Sequence, residues 1–201
     1  INYRASALDP VNLPMAEQII PTYRCPSFKD QMYSNAAVYT AISPKLALRN
    51  YVTVSATNAM KAGTDDFEGA IYPGSRVRIE NIRDGSSNTV LIAETKETGS
   101  AVWIEGTTST LARSLDAAQC MVPPYDCAKV GKTSLNDKPF FDATPYLPFA
   151  VSSTWGPSSE HTGMTTHLMG DGSVRGISDN IAIATYEALV TRSGGEAIGE
   201  F

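Results

Sequence analysis

Short apolar runs separated by turn formers dominate this chain, and only one stretch near the C-terminus repeats at a helical spacing. Tyr51–Ala56 alternates Tyr51, Thr53 and Ser55 against Val52 and Val54, the period of two that a half-buried strand requires. Residues 36–42, 70–72, 77–82, 89–94 and 101–105 are further strand candidates, rich in Val, Ile, Thr and Tyr. Asp84-Gly85-Ser86-Ser87-Asn88 is a dense turn cluster between two of them. Residues 165–170 and 173–177 flank Asp171-Gly172 and read as a β-hairpin. That dipeptide suits a two-residue type I′ turn, where both central residues need positive φ. In that register His167 is expected opposite Gly176. Ile183, Tyr186, Leu189 and Val190 then share one stripe of a closing helix, capped by Ser178 or Asp179 and running to about Arg192 before Gly194-Gly195.

The two irregular regions define the remaining organisation. Pro10, Pro14 and Pro21 interrupt residues 1–24, which read as an extended N-terminal arm and candidate assembly segment, with a short helix from Pro14 to Ile19. Between about 106 and 148 periodicity fades, and the segment reads as an insertion loop anchored by Tyr125, Phe140, Phe141 and Tyr146. Residues 25–201 are therefore expected to form one β-rich domain of the α+β class, an antiparallel sheet with long loops, the Asp-Gly hairpin and a short C-terminal helix.

Composition narrows the partners. With 201 residues the chain can build one well-cored domain. Only 18% of residues are charged, and hydroxyl and turn residues take their place, a balance common outside the cell. A net charge of −5 and thinly spread Lys and Arg argue against a nucleic-acid partner. No apolar run approaches the roughly 20 residues of a bilayer span.

Candidate chemistry is sparse. Cys120-Met-Val-Pro-Pro-Tyr-Asp-Cys127 has a spacing that a proline-containing loop can close as a disulfide in an oxidising compartment. Cys25 is then left over, either as a buried thiol or as partner to a cysteine outside this chain. No metal site is expected from the cysteines or from His161 and His167, which lack a recognised ligand spacing. His161 and Asp171 are the residues to weigh for acid–base work, with Ser153 or Ser159 as nucleophile. No Gly-x-Ser-x-Gly elbow accompanies them, so His161 is expected to bond backbone at the hairpin base while Asp171 and Gly172 make the turn. Asp84, Ser86, Asn88 and Glu94, and separately Asp65, Asp66 and Glu68, offer oxygens for calcium but lack the spacing of a dedicated loop. Trp103 and Trp155 are candidate sugar platforms. No Asn-x-Ser/Thr acceptor occurs, although Thr- and Ser-rich stretches at 106–110 and 151–154 are candidates for O-glycans.

Four ordered blocks carry a family resemblance. Ile20-Pro-Thr-Tyr-Arg-Cys-Pro-Ser27 resembles an IPTFxCPSD block, and Asn50-Tyr51-Val52 resembles an NYxGN strand. Residues 82–94 resemble an ITDGTSNTLLVGE block; His161, Asp171-Gly172 and 192–196 resemble an H-x9-DG signature and a TRAGGE ending. These are the marks of the prepilin-like domain-of-unknown-function 1559 family of planctomycetes. The resemblance implies a pilin-like head domain, which in the family follows a long apolar helix; membrane contact would come through that helix, and a cysteine shortly after it is a candidate partner for Cys25. It implies no enzymatic role. The chain is expected to be an extracellular or cell-surface structural subunit of a filament or pilus-like appendage, self-associating into a helical polymer. A surface module binding polysaccharide or another envelope ligand is the alternative, and an enzyme built on His161 ranks third.

Overall fold

Val52 and Val54 alternate with Tyr51 and Thr53 along β1 (Tyr51–Ala56), so one face of that strand is apolar and the other polar. The computed structural model describes residues 1–58, 61, 67–106, 109–112, 135–136, 156–196, 198–199 and 201. In it β1 joins β2 (Val90–Glu94), β3 (Ser109–Leu111), β4 (Met164–Met169) and β5 (Val174–Ser178) in one sheet of order β3-β1-β2-β4-β5. β1–β2, β2–β4 and β4–β5 pair antiparallel, but β3 runs parallel to β1, so the sheet is mixed rather than purely antiparallel. The class is α+β.

Helix α3 (Ile183–Val190) covers one face of this sheet. Tyr186, Leu189 and Val190 are buried there against Val54, Val90, Ala93, Met169 and Ile177. Removing such side chains from water stabilises the fold by about 1.5–3 kcal/mol each. The helix starts after Ala182, with no side-chain cap from Ser178 or Asp179, and ends at Val190 rather than near Arg192. Asp179 is instead held by the Asn136 amide at 2.8 and 2.9 Å. Beyond the helix, Asp84 accepts the backbone N–H groups of Gly194 and Gly195 at 2.7 and 2.9 Å, and Arg192 donates to the carbonyls of Phe67 and Gly69. The turn cluster at 84–88 and the chain's close are thereby tied together.

A second apolar cluster lies beside the first: Ala16, Tyr39, Leu46, Leu48, Val52, Ala101 and Val102, with Leu8 and Leu13 packed on it. The segment 1–24 is therefore not an extended arm. It carries a helical turn, α1 (Leu13–Ala16), and a 3-10 turn at Pro21–Tyr23, and its carbonyls at Ala16 and Tyr23 accept the N–H groups of Ala47 and Asn50. Asn12, 1% exposed, accepts from Asn2 N–H and donates to the Asn2 and Ser6 carbonyls, folding the first residues back on themselves.

Other strand expectations also change. Residues 36–42 hold α2 (Ala37–Thr40), which buries Tyr39 and leaves Val38 exposed. Residues 70–72 and 77–82 form no strand; Ile79–Asn81 is a 3-10 turn whose Asn81 side chain accepts the Arg78 N–H. Residues 101–105 contribute a single bridge, Leu48 to Val102. Between β4 and β5, Met169 N–H bonds the Ser173 carbonyl and Gly172 N–H bonds the Met169 carbonyl, making a three-residue connection, Gly170-Asp171-Gly172. Of these three only Gly172 has positive φ, 87°, so the turn is not the two-residue type I′ form. The register sets His167 opposite Arg175, with Thr166 opposite Gly176. Among the described residues no helix is long and apolar enough to cross a membrane. Cys120, Cys127, Ser153, Trp155 and the aromatic anchors of the insertion loop lie outside the described residues.

Candidate functional site

Tyr51 pairs with Glu94 across β1 and β2, while Ala93 pairs with His167 across β2 and β4. Ala93 and His167 therefore face α3, and Glu94 points to the opposite face with Tyr51 and Thr166. Three chain segments converge on Glu94 there.

The first brings Cys25. Buried Asn50, just before β1, accepts the Cys25 N–H at 3.1 Å through its side-chain oxygen. Its amide donates to the Thr95 carbonyl at 2.9 Å. One side chain thus locks the Cys25 turn to the end of β2. The second segment is β4, whose Thr166 N–H donates to Glu94 Oε2 at 3.2 Å. The third is the run into β4: Ser158 N–H bonds the Glu94 carbonyl at 2.8 Å, and the Ser158 hydroxyl accepts Lys96 N–H at 2.9 Å. Ser159 takes the Asn136 side-chain oxygen on its N–H and accepts the His161 N–H at 2.9 Å. These bonds deliver His161 Nε2 to 3.6 Å from Glu94 Oε1.

Cys25 Sγ, a Glu94 carboxylate oxygen and a His161 ring nitrogen all lie within 4.8 Å of one another. Cys25 and Glu94 are buried, whereas the His161 side chain is 38% exposed, so the cluster opens to solvent on the histidine side. Burial pushes the Cys25 thiol above its ordinary range, and its hydrogen bond to Glu94 adds to the rise. Burial also pushes Glu94 upward, but hydrogen bonds from Cys25, Thr166 and Ser159 outweigh it and hold the carboxyl below its usual range. Tyr51 is raised by burial and by the neighbouring Cys25 and Glu94. A thiol that donates to a carboxylate is a poor nucleophile, since the thiolate is the reactive form.

The expected pair of His161 and Asp171 is split. Six residues of β4 separate them, a span of about 20 Å. Asp171 sits exposed at the turn, where its carboxylate accepts both the N–H and the hydroxyl of Ser173 at 2.9 and 2.7 Å. Those bonds hold it below its usual range. His161 meets a carboxylate rather than backbone. The Ser159 hydroxyl serves the His161 backbone, not its ring, so no serine–histidine relay forms there. The first calcium set also separates: Asp84 holds Gly194 and Gly195, while Glu94 turns to Cys25. Asp65 and Asp66 lie outside the described residues, and Glu68 bonds Thr57 and pairs with Lys61 at 3.6 Å. Trp103 is half-buried, tilted 55° against Tyr23.

His167 is fully buried under α3. Its Nδ1 faces the Thr165 carbonyl at 2.8 Å, which can only accept, so Nδ1 carries the proton and Nε2 accepts from the Tyr186 hydroxyl at 2.8 Å. It is a structural histidine.

The blocks that carry the family resemblance thus come together in space: Cys25 from the first, Asn50 and Tyr51 from the second, Glu94 from the third, His161 from the fourth. No curated protein and no solved structure matches the chain. Residues 1–184 match a family described as protein of unknown function (DUF1559). The chain belongs to the DUF1559 family.

Proposed function

We propose that this domain is a structural subunit of an extracellular filament or pilus-like appendage, a pilin-like head that works by repeated contacts with copies of itself. The observation that supports this most is where apolar side chains meet water. Ile1, Tyr3, Val11, Met15, Ile19, Tyr23, Met32, Val38 and Ile42 are exposed, and Val38 is 66% exposed. They are nine of the fourteen large apolar residues exposed among the described residues, yet all come from the first 42 positions, so this segment carries most of the sticky surface. The segment is anchored from below by Ala16 and Tyr39, which presents its outer side chains on a firm base. At the other end of the sheet β5 pairs only with β4 among the described strands, leaving an edge that a neighbour's strand can join. Self-association through unlike surfaces yields a fibre when the rotation does not close.

Sedimentation and negative-stain microscopy over a range of concentrations test this. Ordered polymers are expected, with Val38→Asp and Ile42→Asp shifting the onset to higher concentration while leaving the circular dichroism unchanged. Monodisperse monomer at high concentration would refute it.

The alternative, a binding module for an envelope polysaccharide, draws on a different feature. A cleft of about 390 Å³ is lined by Tyr72, Arg76, Asn81, Arg83, Arg192 and Ser193. Arg192 lies 5.7 Å over the Tyr72 ring, and Arg76 and Arg83 are exposed. Guanidinium groups beside an aromatic ring suit the carboxylates of an acidic glycan. Retention on uronic-acid polymers that is lost in Arg76→Ala/Arg83→Ala would favour this reading over assembly alone.

A further inference from the structure

We propose that Cys25 Sγ, Glu94 Oε1 and His161 Nε2 form a binding site for one zinc-class divalent cation. Around a tetrahedral zinc, sulfur, nitrogen and oxygen ligands at about 2.0–2.3 Å lie roughly 3.3–3.6 Å from one another. Glu94 Oε1 and His161 Nε2 are already 3.6 Å apart. The three ligand atoms lie within 4.8 Å of each other, so closure onto an ion takes side-chain shifts on the order of 1 Å. The half-exposed His161 supplies the moving part and the entry side.

Outer contacts prepare the ligands. Glu94 divides its two oxygens: Oε2 takes the Thr166 N–H and Oε1 faces His161. Asn50 fixes the Cys25 backbone, and Ser159 fixes that of His161. Such supports orient metal ligands and raise affinity. Thiolate plus imidazole selects zinc over calcium or magnesium, which take all-oxygen shells. Three protein ligands leave a fourth position for water, on the side where His161 meets solvent. Of the chain's two histidines, His167 is committed at both ring nitrogens, so His161 is the imidazole available.

The ion would also act as a clasp. Its ligands come from the N-terminal segment, from β2 and from the approach to β4, three parts of the chain that meet at this face through a few hydrogen bonds. Binding converts the Cys25 thiol to thiolate and releases its proton to solvent, while the Glu94 carboxylate coordinates without proton loss. This inference is independent of the assembly reading.

The test uses tag-free, reduced, chelator-stripped protein carrying Cys120→Ser/Cys127→Ser, which leaves Cys25 as the sole thiol. Zn²⁺ is titrated calorimetrically in two buffers of different ionisation enthalpy, and Co²⁺ is followed by absorption. The expected result is saturation near one ion per chain, about one proton released, and a thiolate-to-cobalt charge-transfer band. His161→Gln, at a half-exposed position that tolerates change, should weaken Zn²⁺ binding by more than the roughly 10–100-fold that loss of a supporting residue costs. The same titration of the chain with all three cysteines, with and without His161→Gln, covers the case in which the serine background folds poorly. Absence of saturable binding, absence of the thiolate band, or affinity indifferent to His161→Gln would each overturn the site.

Discussion

Acid should loosen this fold through His167, and the size of the effect can be worked from its surroundings. Burial pushes His167 down to about 4 from its ordinary 6.5, because the charged ring would lose its hydration; the Thr165 carbonyl and the charge of Glu94 offset only part of that. The unfolded chain therefore takes up this proton at a higher pH than the native state does. Stability from the neutral imidazole is fully present above the unfolded value and is lost as pH falls through the window between 6.5 and about 4. At about 1.4 kcal/mol per unit of pKa difference, the whole window is worth on the order of 3 kcal/mol, of which about 2 kcal/mol falls between pH 7 and pH 5. Carboxylates add their own titration below that range, so the comparison is a difference. Urea unfolding of wild type and His167→Gln, followed by tryptophan fluorescence, gives the two stabilities at each pH. Gln lacks the titrating ring, so the variant starts less stable near neutrality and the gap should close by about 2 kcal/mol on going from pH 7 to pH 5. A gap that stays constant within about 0.5 kcal/mol over that range would contradict the buried, neutral assignment of this ring.

Three substitutions probe the rest of the framework. Tyr186→Phe removes the hydroxyl that His167 Nε2 accepts, stranding a buried acceptor, and should cost about 1–3 kcal/mol by chemical denaturation. Glu97 gathers the N–H groups of Gly99, Ser100 and Ala101 at 2.6–2.7 Å while only 3% exposed. Glu97→Ala should therefore cost about 3 kcal/mol or more, with Glu97→Gln recovering part of the loss in the same measurement. In Gly69→Ala the new Cβ would sit 2.5 Å from the Val54 carbonyl oxygen and 2.8 Å from that of Ser55, both backbone atoms that cannot move aside. A loss of about 1–3 kcal/mol is expected, and an unchanged unfolding midpoint would show that this close approach is relaxed in solution.

The elements legible in the sequence are those whose own pattern matches their burial. Tyr51–Ala56 alternates and its valines are inside; Val90–Glu94 follows a strong turn cluster; Tyr186, Leu189 and Val190 lie on one helical stripe and are buried together. Residues 36–42 misled because Val38, Thr40 and Ile42 favour strands in isolation, whereas among the described residues no strand pairs with them. The cluster of Leu46, Leu48 and Val52 takes Tyr39 from a helical turn instead. The parallel placement of β3 was hidden for a related reason: pairing direction is set by tertiary contacts, not by the composition of three residues. The cluster on Glu94 escaped because its members are far apart in sequence and each had a local explanation. Cys25 read as a spare thiol, Glu94 as a calcium oxygen and His161 as part of a hairpin. The usable signal was that all three fall inside the blocks that carry the family resemblance, which pointed to a shared place.

Strand order dictates how this sheet can form. β4 and β5 are joined by only four residues, Gly170 to Ser173, and meet almost as soon as both exist. Every other described pairing joins strands distant along the chain, and β2 bonds β4 only after everything between them has been made. During synthesis β1 and β2 therefore emerge well before the strand and helix that complete their shelter. A ribosome stalled before residue 164 would hold a chain lacking β4, β5 and α3, so the β1 and β2 side chains that α3 covers would still be open to chaperones.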